Sequence, residues 1–138
     1  MRWASLLFAV LALSACGGHA AKSPEQVARA WSAALNRSDD RAAGALFAPG
    51  ARVIQSGVLV LPGKQAAADW NAELPCGGTV LSVQQQGSGE VLVVFRLKER
   101  PGHICDGPGQ TAAAVFDVAH GRITLWHQVP PPTPGQSV

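Results

Sequence analysis

The sequence predicts an α+β domain, a curved antiparallel sheet with three N-terminal helices packed on its concave face. Three observations carry this expectation. Apolar residues recur at helical spacing in the first half of the chain and with a period of two over most of the second half. Glycine-containing breaks at Gly87-Ser88-Gly89 and His120-Gly121 divide the second half into strand pairs joined as hairpins. The 138 residues, 47% of them hydrophobic, supply one core and not two.

The elements follow in chain order. Ser23-Pro24-Glu25-Gln26 opens a helix. Serine caps it, proline suits its first turn, and Gln26 completes a capping box. Val27, Trp31, Ala34 and Leu35 share its inner face, and it stops near Asn36. Ser38-Asp39-Asp40 caps a shorter helix with Ala42, Ala45, Leu46 and Phe47 on its apolar side, and Pro49-Gly50 is expected to end it. "ARVIQ" and "GVLVL" read as short strands around Ser56-Gly57. A third helix follows Pro62-Gly63 with Ala66, Ala67, Trp70 and Leu74 inward. Four strands come next: "TVLSVQQQ", "EVLVVFRLK", "TAAAVFDVA" and "RITLWHQV". "ERPGHICDGPGQ" is the loop between the two hairpins, and the proline-rich residues 131–138 form an extended tail.

The N-terminus has its own logic. Arg2 precedes the uncharged run "ASLLFAVLAL", a charged and then apolar pattern that marks export and is too short to anchor the chain by spanning a bilayer. Leu13-Ser14-Ala15-Cys16 follows, and this resembles the lipobox of bacterial lipoproteins. The resemblance implies a signal peptide over 1–15, acylation of the Cys16 thiol, a tether over 16–22, and an exported chain held by lipid at the cell membrane or outer membrane. Acyl chains anchor because each buried methylene contributes about 0.8 kcal/mol. With Cys16 used in this way, two of the three cysteines remain, and outside the cytoplasm a disulfide between Cys76 and Cys105 is the expectation. Cys76 precedes the first strand of a hairpin and Cys105 follows the second, so the topology brings them together. The alternative is a zinc site of Cys76, His103, Cys105 and Asp106, whose spacing matches no recognised pattern. No metal and no cofactor is expected.

The domain itself, over 23–130, carries a second resemblance. "ARAWSAALNRSDDRAAGALFAPGARV" is similar to the opening of nuclear transport factor 2-like domains, the group that includes SnoaL-like cyclases and ketosteroid isomerases, and "HGRITLWHQV" resembles their last strand. The resemblance implies a cone-shaped fold with a pocket under the helices. It says little about function, because this fold hosts enzymes and binders alike.

The candidate site residues follow from strand parity. If His120-Gly121 is a two-residue turn, Phe116 faces Leu125 and Ala114 faces His127, so Phe116, Leu125 and His127 lie under the helices. Trp31, Trp70 and Phe95 join them as pocket walls or, equally, as plain core. His127 is the one candidate base, and a lone histidine is not a catalytic site. Asp117 falls on the opposite face, which forbids a dyad. The sequence has no tyrosine and therefore lacks the phenol donor of ketosteroid isomerases. Asp39 is explained by helix capping. Charged residues are 14% and the net charge is +2 with no basic stripe, which argues against nucleic acid as a partner. The expected role is binding, of a small apolar ligand or an envelope protein, with the outer sheet face available for a homodimer. The alternatives are an isomerase, lyase or cyclase using His127 as base, and a structural accessory lipoprotein with no ligand.

Overall fold

The computed structural model describes residues 20–133. The expected signal peptide over 1–15, Cys16 and residues 134–138 lie outside the described residues. The elements are α1 (Pro24–Asn36), α2 (Asp40–Ala45), β1 (Phe47–Ile54), β2 (Val58–Leu61), α3 (Lys64–Glu73), β3 (Gly77–Gly87), β4 (Glu90–Lys98), β5 (Thr111–Ala119) and β6 (Arg122–Val129). The α+β class and the curved, unclosed sheet stand as expected.

Each helix starts where its sequence says it should. The Ser23 side chain accepts from the Gln26 amide and the Gln26 side chain accepts from the Ser23 amide, a complete capping box. The Asp39 carboxylate accepts from the Ala42 amide at the start of α2. Pro49-Gly50 does not end α2 as expected. It lies within β1, whose pairing begins already at Phe47. Gly50 has a φ of +79°, a conformation that costs glycine nothing.

The six strands run in the order β2-β1-β6-β5-β4-β3. Four of the five pairings are antiparallel, but β1 pairs with β6 in parallel, so the sheet is mixed. The chain returns from β5 into a strand beside β1, and this non-local parallel contact has no signature in local periodicity. The His120-Gly121 turn is as expected, with φ of 53° and 74° and Ala119 opposite Arg122.

α1 lies across the sheet and buries Val27, Ala28, Trp31, Ala34 and Leu35 against it. Asn36 fixes its C-terminal end to β3: its side-chain oxygen accepts from the Gly78 amide (2.8 Å) and its nitrogen donates to the Gly78 carbonyl (2.9 Å). Ser32 donates to the same carbonyl (3.0 Å). α2 and α3 cross at Gly44, where an added Cβ would fall 2.6 Å from the Ala68 backbone nitrogen. Glycine is therefore what lets the two helices approach.

Arg100 joins these parts from below. Its side chain is fully buried; it donates to the Leu35 and Asn71 carbonyls and makes a 3.0 Å ion pair with Asp40. One guanidinium thus holds the end of α1, the start of α2 and the end of α3. His103 Nε2 lies 2.8 Å from both the guanidinium and the Ala72 carbonyl, and Nδ1 lies 3.0 Å from the Pro101 carbonyl.

Candidate functional site

The site is built around aromatic rings supplied by two helices and four strands. Trp31 of α1 sits edge-on to Phe95 (6.0 Å between centroids) and Phe116 (5.4 Å), and tilted against Trp126 (5.9 Å). Trp70 of α3 packs on Phe47 of β1 and Trp126 of β6. Such edge-on pairs contribute about 0.5–1.5 kcal/mol each beyond their buried area. The Trp31 indole donates to Asn71 Oδ1 (2.8 Å), and Asn71 donates onward to the Ala67 carbonyl (2.8 Å). Asn71 is wholly buried, so these bonds replace the water it lost.

Beside this cluster a cavity of about 240 Å³ opens between α1, the end of α3, and the sheet. Trp31, Leu35, Phe95 and Trp126 wall it, with Ala112 and Ala114 leaving the space on β5. Gln55, Gln128 and Asp106 are its polar fringe. A wider hollow of about 480 Å³ adjoins it, sharing Gln55, Leu97, Ala112 and Gln128, and adds Ser56, Gln110 and Thr111. The Trp126 indole nitrogen is buried and finds no acceptor among the described residues.

Cys76 and Cys105 form the disulfide, with 2.07 Å between sulfurs. Cys76 lines the cavity. The bridge holds the loop after β4 against the start of β3, and Cys105 is further tied by its amide to Glu99 Oε2 (2.9 Å). Asp106, next in the chain, places Oδ1 3.5 Å from Cys76 Sγ. With both sulfurs in the bridge, Cys76, Cys105 and Asp106 form no thiolate zinc site. His103 is turned away to Arg100.

The sequence expectation of the last two strands is corrected here. Val118 does face Ile123, but a β-bulge follows and Asp117 pairs with Leu125, Phe116 with Trp126, and Val115 with His127. One extra residue at Thr124 inverts the parity beyond it. Trp126, which alternation with Leu125 and His127 would have put outside, is 6% exposed in the core, and Leu125 and His127, expected under the helices, lie half-buried on the outer face. His127 is not a wall of the cavity. Trp31 and Phe95 are; Trp70 and Phe116 lie behind the wall as core. Sequence reasoning missed Trp126, Gln55 and Gln128, and named Asp106 only as a ligand of the alternative zinc site. The only signal for Trp126 was the competition between tryptophan and histidine for an interior position, which parity counted from the turn overrode.

On the outer face Glu90 of β4 stands opposite Asp117 of β5. Partial burial, a hydrogen bond to Asp117 and that group's charge, in this order, raise the Glu90 pKa above the ordinary 4.5.

No protein-family model matches the sequence, and no curated protein is similar to it. Solved structures are similar in fold. An NTF2-like protein from Cytophaga hutchinsonii superposes with a TM-score of 0.62 at 15% identity, over 78% of this chain and 88% of that one. A protein from Sphaerobacter thermophilus gives 0.61 at 21%, over 80% and 100%. A protein of ketosteroid isomerase-like fold from Catenulispora acidiphila, solved with trimethylamine, gives 0.58 at 19%, over 79% and 87%.

Proposed function

We propose that this chain, whose fold is nuclear transport factor 2-like, is a lipid-anchored domain of the bacterial cell envelope that binds a small, largely apolar ligand beneath its helices. The observation that carries the binding role is the cavity of about 240 Å³, walled by Trp31, Leu35, Phe95 and Trp126, in which no acid and base converge. His127 stands outside it, on the outer face that, contrary to expectation, it shares with Asp117, and among the described residues no hydrogen bond or ion pair joins it to a carboxylate, so it is given no role as a base. The small ligand of the Catenulispora protein supports the same use of this fold. Anchoring rests on Leu13-Ser14-Ala15-Cys16 after the short apolar run.

Two experiments test the two halves. Naphthalene titrated into the ¹⁵N-labelled full-length chain is expected to shift the amides of Ser32, Gly78 and Ala112 and not those of Leu92, Val115 and His127. Ala112→Leu, which fills the space, is expected to remove the effect. Shifts spread over the outer face instead would refute the site. For the anchor, the wild-type protein expressed in a bacterial host is expected in the detergent phase and Cys16→Ser in the aqueous phase or unprocessed. Equal partition and processing of the two would refute it.

The outer sheet face supports a second role, as a homodimer surface. Val58, Ile54, His127, Val115 and Leu92 form one row across five paired strands, and Val58 is 66% exposed. A concentration-dependent dimer by sedimentation, lost in Leu92→Arg, is the expected result.

A further inference from the structure

We infer that the cavity selects an organic cation, an alkylated ammonium carried on an apolar body. This rests on the binding role proposed above and adds the charge of the ligand to it.

The argument is electrostatic. Trp31, Phe95 and Trp126 all contribute to the cavity wall, and aromatic faces attract a cation through the ring quadrupole. Among the described residues Asp106 is the one charged residue lining either the cavity or the adjoining hollow, and no described lysine, arginine or histidine lines them. Asp106 takes part in none of the ion pairs among the described residues. Its near neighbour is Cys76 Sγ, and a bridged sulfur carries no proton to donate. The carboxylate therefore meets the cavity with no cation among the described residues to neutralise it.

Each ligand charge then has a different outcome. An anion would be repelled by Asp106 and meet no positive group. A neutral apolar molecule would gain from burial alone. A cation gains from the buried rings, where exclusion of water strengthens the attraction, and also from the solvent-exposed Asp106 at the rim. Alkylation follows from the walls. A primary ammonium has three donors to satisfy, and beyond Gln55, Gln128, Asp106 and Ser32, whose hydroxyl is already committed to the Gly78 carbonyl, the lining side chains are apolar. Methyl groups in place of those donors remove that cost and add apolar surface.

The disulfide serves this arrangement by position. It closes the loop that carries Asp106 onto the start of β3, beside the cavity that the rings wall.

The test uses choline and 3,3-dimethylbutan-1-ol, which share shape and differ in charge. Each is titrated into the full-length chain, with the amides of Ser32, Gly78 and Ala112 as reporters. Choline is expected to bind about tenfold tighter than the alcohol. Asp106→Asn, at an exposed position, is expected to remove most of that preference by weakening choline far more than the alcohol. An alcohol that binds as tightly as choline, or a choline preference that Asp106→Asn leaves intact, overturns the inference. If naphthalene still binds in that case, the proposed binding role survives; if naphthalene also fails, that role falls first.

Discussion

Trp31 and Trp126 offer a matched experiment on one buried hydrogen bond. Both are at least nine-tenths buried, both belong to the same aromatic cluster, and both line the cavity. They differ at the indole nitrogen. Trp31 donates to the fully buried Asn71, whereas Trp126 finds no acceptor among the described residues. Replacement of either by phenylalanine removes the same atoms. Trp31→Phe also strands Asn71 Oδ1, at a cost of about 1–3 kcal/mol. Trp126→Phe removes a buried donor that was already unpaired, so its polar contribution is near zero or favourable. Trp31→Phe is therefore expected to be the more destabilising by about 1.5 kcal/mol. With a urea slope of about 1.5 kcal/mol per molar, that separates the two midpoints by about 1 M. The measurement is equilibrium unfolding followed by far-ultraviolet circular dichroism, with the disulfide kept oxidised. Addition of Asn71→Leu to Trp31→Phe is expected to recover part of the loss, because the stranded acceptor is then gone. Equal midpoints, or a larger loss in Trp126→Phe, would refute the reasoning.

Three further outcomes are expected. Gly44→Ala drives a methyl into the Ala68 backbone and is expected to destabilise by about 1–3 kcal/mol in the same unfolding assay, although alanine is the better helix former. Because the folded-state pKa of Glu90 is raised above 4.5, its contribution to stability is fully present below that value and is lost as pH rises through the folded pKa. Glu90→Gln is thus expected to raise the thermal midpoint at pH 7 and leave it unchanged near pH 3. Replacement of Cys76 and Cys105 by serine opens a loop of 29 residues and is expected to cost about 3–4 kcal/mol, while the wild-type chain shows no thiol from this pair on alkylation without reduction.

How much of this was legible differs by element. The starts of α1 and α2 could be read because capping is local chemistry: Ser23, Gln26 and Asp39 bond to amides within three residues of themselves. β5 and β6 could be read to the residue because alternation and a two-residue turn mark them. The Cys76–Cys105 bridge followed from the export pattern, which left an even cysteine pair, and from hairpin topology. The candidate site was much less legible. The bulge at Thr124 is set by how the curved sheet closes on the helices, and by whether an indole or an imidazole better fills the space beside Trp31 and Trp70. That competition takes place between residues about sixty to a hundred positions apart, where periodicity carries no information. The same holds for the parallel β1–β6 pairing and for Asp106, which reaches the cavity only because a disulfide brings its loop there. The sequence by itself determined the helices, the hairpins, the class and the cysteine pair, since each depends on neighbours along the chain. Only the tertiary structure decided which face of β6 is inside, and with it that Trp126, not His127, meets the cavity.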